Sequence, residues 1–204
     1  MVSSTATTAS YARRSAGVAA STSYAAVAIL IASAVVMLRI LLEILVVSPA
    51  LLRTVSRPLL ILFVLLAALA GAAWVSHRSI RAELPPQDNP AEVRWALLFA
   101  LGYAPVLFAA AAAKDFLGDR GVYFVAVLSG STDVDAITLS TAQLVNKERL
   151  AGETGWRVIV LACLANLIGK AALVAILGQR QLFRIVSLSY AVVIVAGALL
   201  MGFW

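Results

Sequence analysis

The sequence predicts an all-α polytopic membrane protein, a bundle of about six transmembrane helices with a break in the fourth. Two observations lead to this prediction. First, 62% of the 204 residues are hydrophobic and only 13% are charged, and the mean hydropathy is +0.97, whereas about a quarter of the residues of a soluble domain are charged. Second, the chain contains six apolar runs, each about as long as the roughly 20 residues that a spanning helix needs.

The segment before the first apolar run, residues 1–23, is rich in Ser, Thr and Ala and contains Arg13 and Arg14 but no acid. A basic, acid-poor composition is also typical of targeting peptides. The run that follows is too long for the apolar part of a signal peptide, however, and it holds Arg39 and Glu43. We therefore expect residues 1–23 to be a disordered tail or linker and residues 24–204 to be the transmembrane domain.

The six predicted spans follow one another through short connections, apart from a longer loop over residues 77–93. That loop contains Pro85, Pro86 and Pro90, and each proline disfavours helix in the residue before it. The predicted spans cover residues 24–47, 58–76, 94–113, 121–145, 156–177 and 183–204.

The net charge of +6 comes mainly from Lys and Arg between the apolar runs, where they anchor loops at lipid headgroups, so nucleic-acid binding is not expected. Six spans place both termini on one side of the membrane. That side collects eight basic residues, namely Arg13, Arg14, Arg78, Arg81, Arg94, Lys147, Arg149 and Arg157, and the other collects six, namely Arg53, Arg57, Lys114, Arg120, Arg180 and Arg184. Eight against six favours cytoplasmic termini. If the fourth segment is re-entrant instead, everything after it is inverted.

Ionisable side chains inside the predicted spans are the strongest functional signal, because each costs about 2.5–3.5 kcal/mol on insertion scales. They are Arg39, Glu43, Asp133, Asp135 and Lys170. Arg39 and Glu43 are four residues apart, so they share a helix face and can neutralise each other. Lys170 either reaches the headgroups with its long side chain or faces the bundle interior, where it needs a carboxylate.

The break is predicted from "VAVLSGSTDVDAITLSTAQLV", residues 125–145. Gly130, Ser131, Thr132 and Asp133 favour turns and caps over helix interiors. We expect a helix that ends near Ser129, a short unwound segment, and a second helix with Asp133 at its N-cap. Non-helical backbone at membrane depth is tolerated where it is buried or lines a wet cavity, and discontinuous helices are typical of transport sites.

The predicted ligands at the break are all oxygen donors, which suit a hard cation or a proton. They are Ser129, Ser131, Thr132, Asp133, Asp135 and Thr138. Asp133 and Asp135 are the predicted metal ligands, for Mg²⁺ or Na⁺, and no organic cofactor is indicated. The alternative is structural: Asp133 caps the helix, and Asp135 pairs with Arg39 or Lys170 to hold the bundle in register.

An enzyme is not expected, although a pair of aspartates can hold a divalent ion for group transfer. The sequence shows neither a glycine loop that would bind phosphate nor a nucleophile with a histidine base, and it has no soluble domain.

The stretch "LSGSTDVDAITLSTAQL" resembles an uncharacterised bacterial membrane domain that usually forms the C-terminal half of MgtC/SapB-type proteins. "VVMLRILLEILVVSPALL" and "LANLIGKAALVAILG" share this resemblance, which covers most of the chain from about Ala25. It departs at Ser131, where the family pattern more often has an apolar residue, and this chain lacks the MgtC-like N-terminal half. Carried over by position, the polar residues of the family are Arg39, Glu43, Asp133, Asp135, Asn166 and Lys170.

The resemblance implies a bacterial inner-membrane protein with a link, by name, to magnesium transport. We expect an ion channel or transporter-like protein, homo-oligomeric in the lipid bilayer, with Asp133 and Asp135 binding or relaying an ion. Arg39, Glu43, Asn166 and Lys170 would form the surrounding counter-charge and polar network. The alternative is a non-transporting scaffold that binds an MgtC-like or other membrane partner.

Overall fold

The structure, a computed structural model, describes residues 4–15, 19–77, 108–109, 112–113, 115–116 and 118–203. Within these ranges it is helical, without strands. Its helices, numbered in chain order, are α1 (Ser4–Ser15), α2 (Ala19–Val47), α3 (Pro49–His77), α4 (Asp119–Gly130), α5 (Asp135–Asn146), α6 (Gly152–Leu177) and α7 (Arg180–Phe203).

Among the described residues, four helices are long and apolar enough to cross a membrane: Thr22–Val47, Pro49–Ser76, Gly152–Leu177 and Arg180–Phe203. They correspond to the first, second, fifth and sixth predicted spans, so the prediction of a helical membrane protein is confirmed. The third predicted span, residues 94–113, lies largely outside the described residues, as does the predicted loop after residue 77. The count of six spans therefore stays a prediction.

Helix α3 begins nine residues earlier than predicted, at Pro49 instead of Pro58. Proline is well suited to the first turn of a helix, where its missing N–H has no partner to lose. Arg53 and Arg57 are exposed, so they extend the helix without entering the core.

Contacts between turns identify the two ends of the bundle. At one end, which we call the Ser48 end, the α2–α3 turn and the end of α5 both lie close to the start of α6. A Cβ on Gly155 of α6 would be 3.3 Å from Leu51 Cδ1 and 2.7 Å from Val145 Cγ2. At the other, the Gln179 end, the α6–α7 turn meets the start of α2, where Thr22 Oγ1 donates to Gln179 Oε1 at 3.5 Å.

Helices α4 and α5 form a re-entrant hairpin that starts and finishes at the Ser48 end. Asp115, just before α4, forms an ion pair with Arg149, just after α5, with Nη2 and Oδ1 2.6 Å apart. At the tip of the hairpin, Asn166 Nδ2 of α6 donates to the carbonyl of Gly130 at 3.0 Å. Asn166 lies 14 residues into α6, or about 21 Å from the Ser48 end at 1.5 Å per residue. The fourth segment thus reaches the middle of the bundle and turns back.

This hairpin changes the topology predicted from six simple spans. Helix α2 begins at the Gln179 end. Helix α7 leaves the Gln179 end after Gly178 and runs antiparallel to α6, with Gly197 against Leu164, so it finishes at the Ser48 end. The start of α2 and the end of α7 therefore lie at opposite ends, whereas six simple spans would put both termini on one side.

Residues 4–15 form a helix where a disordered tail was expected. Helix α1 packs on α2 and α6, with Thr8, Ala12 and Ser15 buried. Two of its hydroxyls are satisfied within the helix: Thr8 Oγ1 donates to the Ser4 carbonyl at 2.9 Å, and Ser15 Oγ to the Ala12 carbonyl at 2.7 Å. This polar segment folds here because its small side chains allow close packing and its hydroxyls donate to backbone carbonyls of the same helix.

Helix α6 is the centre of the bundle. It packs against α1, α3, α4, α5 and α7, and its buried residues surround most of its circumference. Every element that contributes to the site below contacts either α6 or α2.

Candidate functional site

The break in the fourth segment covers four residues, Ser131 to Val134, between the end of α4 and the start of α5. It forms where Gly130 brings the chain against α6: a Cβ on Gly130 would be 2.6 Å from the Ala162 carbonyl oxygen. The Ser129 carbonyl accepts the backbone N–H groups of Thr132, at 3.1 Å, and Asp133, at 2.8 Å. The last turn of α4 is thereby closed without continuing the helix.

The hydroxyls predicted as ligands in the break donate to nearby backbone. Ser131 Oγ donates to the Leu128 carbonyl at 2.8 Å, and Thr132 Oγ1 donates to the Ser129 carbonyl at 2.9 Å. Ser129 Oγ makes a long contact, 3.5 Å, to the Asp133 carbonyl. Thr138 differs, because it is fully buried on α5 and its hydroxyl has no partner among the described residues.

The sequence predicts Asp133 at the N-cap of α5, whereas the N-cap residue is Val134, which makes no side-chain cap hydrogen bond. Asp133, one residue earlier, contacts the first turn instead. Its Oδ1 accepts the backbone N–H of Asp135 at 3.1 Å, which supplies one partner to the unpaired N–H groups of the first turn. Its side chain is half-buried, and its negative charge lies at the positive end of the helix dipole.

Arg39 joins α2 to the start of α5. Its Nη2 donates to Asp135 Oδ1 at 2.5 Å, and its Nε is 3.7 Å from Glu43 Oε1. The pair with Asp135 is therefore the close one, and the neighbouring carboxylate of Glu43 is a weaker partner than the four-residue spacing alone suggests. The side chains of Arg39, Glu43 and Asp135 are 19%, 15% and 8% exposed, so the group is largely shielded from solvent.

Lys170 lies inside the bundle and does not reach the headgroups. It is 1% exposed, and its Nζ donates to Ser33 Oγ at 3.2 Å. Ser33 Oγ is 2.7 Å from the Tyr190 hydroxyl. Among the described residues no carboxylate lies within 4 Å of Nζ, so the carboxylate partner expected from sequence is replaced by a hydroxyl pair.

Ser33 and Tyr190 were missed by sequence reasoning. Each contributes one hydroxyl to a long apolar helix, and such residues are common there. The available signal was position: Ser33 is at mid-length of α2, six residues before Arg39, and Tyr190 is at mid-length of α7.

Together these side chains form one cluster, which we call the carboxylate cluster: Arg39, Glu43, Asp133, Asp135 and Lys170. Counted as ionised groups, it has three acids and two bases, and is therefore one positive charge short of neutrality.

A divalent metal site is not preassembled in the part of the chain that the structure describes. No three His, Cys, Asp or Glu side chains there converge on a point that would hold a metal ion. A metal at Asp133 and Asp135 would draw its remaining ligands from hydroxyls and backbone carbonyls, which suits weakly held cations better than zinc or copper.

Comparison with known proteins identifies related chains of unknown activity. A family model described as a domain of unknown function, DUF4010, matches residues 1–178. An uncharacterized protein of Aquifex aeolicus (strain VF5) is 33% identical over 94 residues, which are 46% of this chain and 41% of the relative. This chain thus matches less than half the length of that relative. No solved structure gives a significant match.

Proposed function

Since the chain belongs to the DUF4010 family, a domain of unknown function, we propose its function from its own residues: it is a channel or transporter-like membrane protein that takes up a proton or a monovalent cation. Asp133 and Asp135 bind or relay the ion, and Arg39, Glu43 and Lys170 set the charge around it. Asn166 holds the tip of the re-entrant hairpin in place.

One observation carries the proposal: the re-entrant hairpin places an acid-bearing break about 21 Å inside an apolar bundle, at 1.5 Å per helical residue. Such a hairpin is costly to build, because its tip leaves backbone groups without helical partners at membrane depth. Ionisable groups in this position mark ion pathways by default. The charge shortfall of one favours a proton or Na⁺ over Mg²⁺, since a divalent ion would leave the cluster with a net charge of +1.

Bacterial inner-membrane location and assembly into a homo-oligomer belong to the same proposal. The four long apolar helices support embedding in a lipid bilayer. Their exposed surfaces carry many large apolar side chains, including Val46, Leu42 and Ile176, which suits contact with lipid or with another copy.

A scaffold that binds an MgtC-like or other membrane partner is the second candidate. It is favoured by the contacts that join the break to the rest of the bundle without an ion, namely the Arg39–Asp135 pair and the bond from Asn166 to the Gly130 carbonyl. Under this proposal the cluster fixes the register of the helices and transports nothing.

The two candidates are separated by ion flux in proteoliposomes loaded in turn with pH-, Na⁺- and Mg²⁺-sensitive dyes. We expect the native protein to move protons or Na⁺, and the Asp133→Asn/Asp135→Asn variant to lose flux at least tenfold while it elutes as the native assembly. The Asp115→Asn variant is the matched control, because Asp115 is an acid whose side chain and whose partner, Arg149, are both exposed.

Absence of flux from a folded native protein would overturn the transport proposal. A scaffold also predicts that Asp135→Asn combined with Arg39→Met, which removes both members of the buried pair, assembles normally and keeps function. A transport site loses flux in that variant even when assembly is normal.

A further inference from the structure

Arg39 Nε, inside the carboxylate cluster, is buried without a hydrogen-bond partner among the described residues. Four further atoms of this kind extend from Glu43 of the cluster toward the Ser48 end. They are Glu43 Oε2, Ser48 Oγ, Thr138 Oγ1 and Thr141 Oγ1. Ser48, Thr138 and Thr141 are 0% exposed. Buried side-chain polar atoms normally pair with protein or ordered water, so a group of four in one region requires an explanation.

Three of the four residues lie on α2 or α5 and the fourth, Ser48, directly follows α2. All four lie on the side of the cluster that faces the Ser48 end. Glu43 is one turn beyond Arg39, and Ser48 follows the last residue of α2; Thr138 and Thr141 are one and two turns beyond Asp135. The two helices pack against each other. At 1.5 Å per residue, Glu43 and Ser48 are about 7.5 Å apart along the axis of α2, and Thr138 and Thr141 are about 4.5 Å apart along the axis of α5. One or two hydrogen-bonded waters span such distances.

The two threonines are unusual for hydroxyls in these helices. Ser or Thr in a helix commonly donates to a carbonyl one turn earlier, as Ser140 does within α5, to Ala136 at 2.7 Å, and as Ser189 does in α7, to Ile185 at 2.9 Å. Thr138 and Thr141 do not make that bond, so their hydroxyls are available to other partners.

On the α6 side of the cluster, toward the Gln179 end, the polar groups are satisfied and the packing is tight. Lys170, Ser33 and Tyr190 are buried and bonded to one another. The tip of the hairpin presses on α6 through backbone, where a Cβ on Gly169 would be 2.1 Å from the Ser131 carbonyl oxygen. No unpartnered side-chain atom of the described residues leads from the cluster toward the Gln179 end. On the α1 side, a groove of about 200 Å³ between α1 and α2 reaches Arg39.

We propose that Glu43, Ser48, Thr138 and Thr141 line a hydrated path between α2 and α5, and that the ion reaches Asp135 along this path from the Ser48 end. The inference rests on the proposed function of the cluster, and it adds the lining residues and the side of access. Lys170, Ser33 and Tyr190 close the route to the other end on the α6 side.

The path is tested by the reactivity of introduced cysteines with Ag⁺, a small monovalent cation that reacts with thiols. The background is Cys163→Ala, which removes the single native thiol. Thr138→Cys and Thr141→Cys are the probes, and Ile137→Cys, on the same helix and 0% exposed, is the matched control. Lys147→Cys and Arg180→Cys, both exposed, report the Ser48 end and the Gln179 end.

Ag⁺ is added to one side of sealed vesicles, the protein is then unfolded, and the remaining free thiols are counted with a fluorescent maleimide. We expect Thr138→Cys and Thr141→Cys to react from the side that reaches Lys147→Cys, at least tenfold faster than Ile137→Cys. Elution as the native assembly checks the folding of each variant, and either threonine alone suffices if the other variant fails to fold.

Reaction of both probes as slowly as Ile137→Cys, or reaction from the side that reaches Arg180→Cys, would overturn the path. This readout does not depend on transport. If the probes react from one side but the native protein shows no flux, the path is supported and the proposed function is wrong. If the native protein shows flux but the probes do not react from one side, the proposed function is supported and the path is wrong.

Discussion

At the scale of single residues, the Arg39–Asp135 pair is the contact that fastens the re-entrant hairpin to α2. Both side chains are largely buried, and Arg39 is the side chain that pairs with the carboxylate of Asp135 among the described residues. Removing one member of a buried pair leaves its partner charged and uncompensated, at a cost of roughly 3–5 kcal/mol.

We therefore expect Arg39→Met to lower the free energy of unfolding by roughly that amount, and Arg39→Met with Asp135→Asn to recover more than half of the loss. Thermal unfolding in detergent measures both. Arg53→Met is the matched control, because Arg53 is exposed on α3, and it should change the melting temperature little. A double variant no more stable than the single would show that the pair is not what stabilises the hairpin.

Gly169 is required by a close approach of two backbones. A Cβ there would stand 2.1 Å from the Ser131 carbonyl oxygen, so the tip of the hairpin must shift to admit it. We expect Gly169→Ala to destabilise the protein by roughly 1–3 kcal/mol, the usual range for overpacking. Gly71→Ala, where nothing lies within 4 Å, should be neutral or slightly stabilising, because alanine favours helix. Equal melting temperatures for the two variants would contradict the close approach.

The sequence identified the charged members of the cluster because an intramembrane charge is expensive wherever it points. It did not identify Ser33 or Tyr190, since a hydroxyl in an apolar helix costs little when it bonds to its own backbone. It also left the partner of Lys170 open, because pairing across helices depends on how those helices are rotated against one another.

At the scale of elements, α4 and α5 are each 12 residues long, or about 18 Å at 1.5 Å per residue. Neither crosses the hydrocarbon core, which is about 30 Å thick. Length could not distinguish a span from a hairpin in the sequence, because residues 121–145 are long enough for either. The Asp115–Arg149 pair shows that the segment is a hairpin. Because this contact joins residues 34 positions apart, the local sequence pattern does not predict it.

The hairpin predicts a specific pattern of labelling. In the Cys163→Ala background, we expect Arg120→Cys, near the start of α4, and Lys147→Cys, just after α5, to react with a membrane-impermeant maleimide from the same side of sealed vesicles. Arg180→Cys should react from the opposite side. All three residues are exposed. Labelling of Arg120→Cys and Lys147→Cys from opposite sides would show that the segment crosses the membrane.

Helix α1 shows the limit of composition as a guide to order. Its Ser, Thr and Ala content suits a disordered segment, and no periodic apolar face marks it as a helix. It folds against α2 and α6, and Thr5 Oγ1 donates to the Thr132 carbonyl in the break at 3.3 Å. The order of this segment thus derives from tertiary contacts, which local composition does not encode.

At the scale of the whole molecule, composition alone was sufficient to predict a helical membrane protein, because the bilayer admits few other folds for so apolar a chain. The sequence did not predict that the start of α2 and the end of α7 lie at opposite ends of the bundle, because a single re-entrant segment inverts everything that follows it. The charge count of eight against six carried too small a difference to reveal this inversion.

The order of the elements along the chain has a consequence for how the protein is made. The hairpin leaves the ribosome before α6, the helix on which its tip rests through Gly130 and Asn166. Until α6 has been inserted, two half-length helices and two aspartates have no place in the bilayer where their polar groups are satisfied. The hairpin must therefore wait at the membrane surface during synthesis and enter the bundle only after translation has passed α6.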